Sequence, residues 1–160
     1  MGMTRLIAIM GLLAGFVLGT IDSGRADDLA AETQIKAVMD GTWDRPDQRL
    51  QVSPIVVVSD HAIAGWTQGE MGGRALLRRK GHEWQIVLCS GDQLKSEEAL
   101  TKIGLPADAA KILAARLAEA EGKIESGRLA LFSRFDGIVM MDTSGNHPPQ
   151  HAPHSSSQHK

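Results

Sequence analysis

Between Leu50 and Cys89 the chain holds four apolar or alternating runs whose connections are too short to be anything but tight turns. Leu50 to Val58 is followed by Ser59-Asp60, Ala62 to Thr67 by a glycine-rich hairpin within Gly69 to Gly73, Gly72 to Arg79 by Lys80-Gly81-His82, and Trp84 to Cys89 closes the series. A parallel crossover needs a dozen or more residues, so strands joined this way run antiparallel and the stretch reads as a four-stranded meander. Pro54 has no N–H for a ladder, which puts the first run at a sheet edge or a bulge. In the last run Trp84, Ile86 and Leu88 alternate with Gln85, Val87 and Cys89, and strict alternation predicts the two sets on opposite faces. Both sets hold apolar residues, so one face is expected against helices and the other only partly wetted.

Helical patterns flank the meander. Leu29, Ile35, Val38 and Met39 recur at helical spacing from Leu29 to Asp40, with Asp27 and Asp28 placed to complement the N-terminus and Gly41 to end the helix. After the strands, Ser96 opens a short helix that Gly104 ends. Pro106 opens a longer one over Ala107 to Ile124, with Ile112, Leu113, Leu117, Ala120 and Ile124 expected to face the sheet. Leu129 to Phe135 fits either a helix or a strand, and Ile138 to Met141 reads as a short final strand. The fold class is therefore α+β: an N-terminal helix, a four-stranded antiparallel meander, two following helices packed on the sheet, and a histidine-containing tail. The order is loosely analogous to cystatin-like or nuclear-transport-factor-like domains.

The ends differ from this body. Arg5, an apolar block from Leu6 to Leu18, and Gly24-Arg25-Ala26 form the pattern of a secretory signal peptide, so residues 1–26 are expected to be removed and the protein to reach the periplasm. The apolar block is short and glycine-broken for a spanning helix, which needs roughly 20 apolar residues. Residues 27–142 are expected to form one domain, and the Ser/Pro/His/Gln composition of residues 143–160 predicts a disordered tail. Export leads to an oxidising compartment, yet Cys89 is the only cysteine, so no intramolecular disulfide can form. With a formal net charge of −2 and no basic stripe with interleaved aromatics, nothing points to nucleic acid.

Chemistry concentrates at the C-terminus. His147, His151, His154 and His159 account for four of the six histidines, and Met140 and Met141 stand just before them. Imidazole suits Cu(II) and Zn(II) and thioether sulfur prefers Cu(I), so the combination points to copper, bound transiently because ordering a flexible tail costs about 1 to 2 kcal/mol per residue. Adjacent residues on a strand face opposite ways, so one methionine is expected in the core and the other at the surface. Met71, in the glycine-rich turn, is a weaker candidate. Cys89 is open to three roles, nucleophile, soft metal ligand or intermolecular disulfide, but a small buried hydrophobe is the plainer reading, since His61 and His82 fall in turns. Trp66 and Trp84 are expected to fill the core between sheet and helix, and Trp43 to cap one end of it. Gly69 to Gly73 lacks the Gly-Lys-Ser/Thr finish of a phosphate loop. No aspartates pair for acid-base work, and the chain is not expected to be an enzyme.

Asp60-His61-Ala62-Ile63-Ala64-Gly65-Trp66-Thr67-Gln68-Gly69, Gly72-Gly73-Arg74 through Arg79, Trp84 to Asp92, Ala130 to Phe135, Val139 to Asp142 and His147-Pro148-Pro149 together resemble the copper uptake system-associated proteins. These are small exported bacterial proteins linked to copper-uptake systems that include periplasmic copper chaperones, and the similarity spans nearly all of Ile35 to His154. The resemblance implies a place in copper handling, with a periplasmic copper chaperone or a copper-uptake membrane protein as partner, and supports His147, His151 and His154 as metal-handling positions. Ser155, Ser156, Ser157 and Gln158 dilute the tail relative to the denser histidine of that family. Two other readings are a partner-binding adaptor whose body does the work and a small-molecule-binding cone using Cys89 and the sheet.

Overall fold

The computed structural model describes residues 23–142. Most of the expected signal peptide and the whole tail, with His147, His151, His154 and His159, lie outside the described residues. In chain order the elements are α1 (Ser23–Trp43), β1 (Gln51–Val58), β2 (His61–Gln68), β3 (Met71–Lys80), β4 (Glu83–Ser90), a 3-10 turn (Asp92–Lys95), α2 (Glu97–Lys102), α3 (Ala107–Glu121), α4 (Ser126–Phe132) and β5 (Ile138–Met140). The expected meander is present, each strand pairing antiparallel with the next. The sheet has five strands rather than four, because β5 returns to pair antiparallel along the outer side of β4. That pairing satisfies what would otherwise be an open edge of β4. Pro54 sits where the β1–β2 register shifts, between Val52 and Ile55 on the edge strand, as its missing N–H requires.

Helices cover both faces of the sheet, so the expectation of one partly wetted face does not hold. On one face α1 inserts Ala31, Ile35 and Met39, one turn apart, against Val57, Ala62, Ala64, Ala75, Leu77, Trp84 and Ile86. Leu29, expected on that stripe, is 57% exposed. The helix also begins earlier and ends later than expected. Asp27 and Asp28 lie inside it, and it runs through Gly41 to Trp43, where the Thr42 hydroxyl donates to the Val38 carbonyl at 2.7 Å and Trp43 packs on Trp66. Tertiary contact here overrides the low helix propensity of glycine.

On the other face Val56, Val58, Ile63, Leu76 and Leu88 meet Leu94, Leu100, Leu105, Ala110, Leu113 and Leu117. Ser96 caps α2 by accepting from the Ala99 N–H at 3.2 Å, and Gly104, at φ +100°, lets the chain reverse before Pro106 and α3. The inward stripe of α3 is Ala110, Leu113, Leu117 and Glu121, whereas Ile112 is 44% exposed. The stripe is rotated from the expected one because its last position is a buried acid with a specific partner. Arg74 of β3 is completely buried; its Nε and Nη2 donate to the two Glu121 oxygens at 2.6 and 2.9 Å, and its Nη1 to Asp92 Oδ1 at 3.1 Å. Bidentate geometry with every guanidinium nitrogen occupied is what allows such charges to leave water.

The ambiguous stretch from Leu129 resolves as the end of α4, capped by Glu125, whose carboxylate accepts from the N–H groups of Gly127 and Arg128 at 2.8 and 3.0 Å. Those two backbone donors hold the Glu125 carboxyl below the usual carboxylate range. Beyond α4 the chain changes sides. The guanidinium groups of Arg74 and Arg128 both lie over the Phe132 ring, 5.4 and 5.5 Å from its centroid, while Phe135 packs with Trp66 in the α1-side cluster. The crossing runs close over β3 and the end of β4. A Cβ on Gly72 would stand 2.9 Å from the Leu131 backbone carbon, one on Gly73 3.0 Å from Phe135 Cβ, and one on Gly91 against the Phe135 carbonyl oxygen. Gly72 and Gly73 lie in β3, as the strand expected from Gly72 to Arg79 requires, and Gly69, at φ +59°, serves the turn.

Candidate functional site

One extra residue in β4 decides where Cys89 points. Leu76 pairs with Leu88 but Leu77 pairs with Ile86, so Val87 is an inserted residue that resets the alternation. Trp84, Ile86 and Cys89 consequently lie in the α1-side cluster, and Leu88 packs on the opposite side. The expected grouping, with Leu88 beside Trp84 and Cys89 across from them, is overturned: a one-residue shift moves every following side chain to the other face.

Cys89 there lines an apolar cavity of ≈ 300 Å³ together with Trp43, Leu50, Trp66, Gln68, Phe135, Val139 and Met141. Trp43 comes from the last turn of α1, Trp66 and Gln68 from β2, Phe135 from the crossing segment, Val139 from β5 and Met141 from the residue after that strand. Trp66 links the aromatic wall, its ring centroid 6.5 Å from that of Trp43 and 5.8 Å edge-on from that of Phe135. Gln68 Nε2 donates to the carbonyls of Trp43 and Gln48, both at 2.8 Å, and so ties the α1–β1 loop to the cavity rim.

The methionines divide as their alternation requires. Met140 is 50% exposed, whereas Met141 turns into the α1-side cluster, its N–H donating to the Val87 carbonyl at 2.9 Å. Cys89 pairs with Val139 in the β4–β5 ladder, which makes Met141 its diagonal neighbour on the same face. Met71 is exposed at the β2–β3 hairpin, opposite Gln68, and does not line the cavity. Trp84 is buried in the core as expected, while Trp66 is only partly buried and borders the cavity.

Cys89 is chemically quiet as a free thiol. Burial pushes it up from an ordinary 9.0 to about 12, so it is fully protonated at neutral pH. The two body histidines sit elsewhere: His61 starts β2 opposite Arg78, with burial and then the Arg78 charge lowering its pKa, and His82 is exposed in the β3–β4 turn. Among the described residues no three His, Cys, Asp or Glu side chains gather as a metal-holding group. Phe135, Leu50 and Val139 were not legible as cavity residues in the sequence; the glycine pair facing the crossing segment was the available signal for Phe135.

The fold and cavity define a five-stranded antiparallel sheet between two helical layers, with an aromatic, sulfur-bearing recess on the α1 side. Comparison of the chain with protein-family models, curated proteins and solved structures finds no match.

Proposed function

We propose that this is an exported, non-enzymatic copper-binding accessory protein that captures or passes copper in an uptake or cuproprotein-assembly pathway, with a periplasmic copper chaperone or a copper-uptake membrane protein as its partner. His147, His151, His154 and His159 capture the ion, and the methionine pair offers sulfur where the tail joins the body. One observation carries the reading: the chain leaves the sheet through Met140, half exposed, and Met141, turned into a cavity that also holds Cys89, immediately before the histidine tail. Soft sulfur at the root of an imidazole-bearing segment suits an ion that cycles between Cu(II) and Cu(I). Signal cleavage after Ala26 would leave α1 opening on Asp27 and Asp28, acidic residues that favour a helix N-terminus.

The test is titration of Cu(II), and of Cu(I) under reducing conditions, into the mature chain and into a full-length variant with His147, His151, His154 and His159 all replaced by alanine. The tail reading expects Cu(II) affinity to collapse in the variant, and the wild-type affinity to weaken as pH falls through about 6.5, where imidazole takes up a proton. Equal Cu(II) affinity in both chains would refute it. The apolar cavity also favours a second reading, a small-molecule-binding domain; saturable quenching of Trp43 and Trp66 fluorescence by a small aromatic compound, unaffected by copper, would support that instead.

A further inference from the structure

We infer that Cys89 and Met141 form a two-sulfur Cu(I) site inside the aromatic cavity, a body station distinct from the imidazole tail; this rests on the copper-handling reading and deepens it. The two side chains line the same recess, and diagonal neighbours across an antiparallel ladder stand about 7 to 8 Å apart, a span that a long side chain such as Met141 can cross. Cu(I) takes few ligands and favours thiolate and thioether sulfur, so two such donors are a suitable set. Met141 has three rotatable bonds on an unbranched chain, which lets its thioether swing onto an ion held by the thiolate.

The apolar wall also selects for this ion. A lone charge in such a recess is costly, but a Cu(I) ion on a single thiolate is neutral overall. Binding breaks the Cys89 S–H bond and forms a Cu–S bond; the proton leaves to solvent, and no electron is transferred. Cu(II) with one thiolate keeps a positive charge and gains less from the same wall. The rings of Trp43, Trp66 and Phe135 line the same recess and keep it apolar. The inserted Val87 is what makes the site: with regular alternation Cys89 would lie on the α3 side, away from Met141.

The experiment is an anaerobic Cu(I) titration, against a chromophoric Cu(I) chelator, of the full chain carrying the four tail histidine-to-alanine replacements. One equivalent is expected to bind, with an ultraviolet thiolate-to-copper charge-transfer band, a copper–sulfur X-ray absorption signature and quenched tryptophan emission. Adding Cys89→Ser should abolish the band and lower affinity more than about 100-fold, beyond what loss of an outer-shell partner costs a metal site. Met141→Leu, which keeps the packing volume, should lower affinity while retaining the band, so the test survives if Cys89→Ser proves unfolded by circular dichroism. If the unmodified chain binds copper but the tail-substituted chain takes no Cu(I), the body site is refuted and the copper-handling reading stands. If neither chain binds copper in either oxidation state, both fall. Cu(I) binding unchanged by Met141→Leu and showing no sulfur signature would also overturn the site.

Discussion

The two faces of the sheet are built on opposite principles. The α3 face is closed by charge: Arg74, fully buried, is saturated by Glu121 and Asp92 and stacked on Phe132, and Leu94, Leu100, Leu113 and Leu117 fill the space around it. The α1 face is closed mainly by apolar contact around Ile35, Met39 and Trp84, with the Arg79 guanidinium 5.7 Å from the Trp84 ring centroid, and towards Trp43 it leaves the recess that Cys89 and Met141 line. A buried ion pair tolerates little displacement, because each charge depends on its partner for solvation. An apolar recess can admit a guest without breaking an ion pair. The ion-paired face thus ties β3, the 3-10 turn and α3 together, while the apolar face leaves a cavity.

The sharpest way to break this contrast is Arg74→Met alone, which strands the Glu121 carboxylate. About 3 to 5 kcal/mol of stability should be lost by denaturant unfolding, whereas the double change Arg74→Met with Glu121→Leu should recover most of it. A double variant no more stable than the single would mean that the network does more than compensate its own burial.

Gly72→Ala should cost about 1 to 3 kcal/mol, because the new Cβ meets the Leu131 backbone, which cannot rotate away as a side chain can. Wild-type stability in that variant would show that the α4 crossing yields easily.

Alkaline pH probes the recess. The folded pKa of Cys89 is raised, so the stability this thiol contributes is complete below its ordinary 9.0 and is lost as pH rises towards about 12, because only the unfolded thiol ionises in that window. At pH 10 the difference between wild type and Cys89→Ala should have shrunk by about 1.4 kcal/mol relative to pH 7. The comparison with Cys89→Ala removes the contribution of lysines that titrate in the same range. Alkylation of the native protein by iodoacetamide at pH 8 should be slow and should accelerate on unfolding.

The smallest effect is expected from filling the recess. Val139→Ile adds one methyl group towards the cavity and should change stability by no more than about 1 kcal/mol, in the stabilising direction, while reducing Cu(I) binding. A loss of stability instead would show that the recess is already packed to its limit.

Much of the scaffold was legible in the residues because its signals are local. The turns at Ser59-Asp60 and Lys80-Gly81-His82 set the antiparallel order, Pro54 marked the edge, and Ser96, Gly104 and Pro106 bracketed α2 and opened α3. The division of Met140 from Met141 followed from strand alternation. Of the candidate site, Met141 and Cys89 were visible as residue types but not as neighbours. Glu121 carried no signal of its own in the sequence, since only its partner 47 positions earlier explains its burial.

What the sequence by itself determined, then, is the succession of helix, meander and helices, because turn geometry, helix caps and side-chain periodicity act over a few residues. Only the tertiary structure decided the phase and the partners. The inserted Val87 resets an alternation that is otherwise regular, β5 takes the free side of β4, and the glycines of β3 matter only because a distant segment crosses them. Periodicity specifies that a strand has two faces; which residue lies on which depends on register against a neighbour. That dependence is what brings Cys89 and Met141 to one recess.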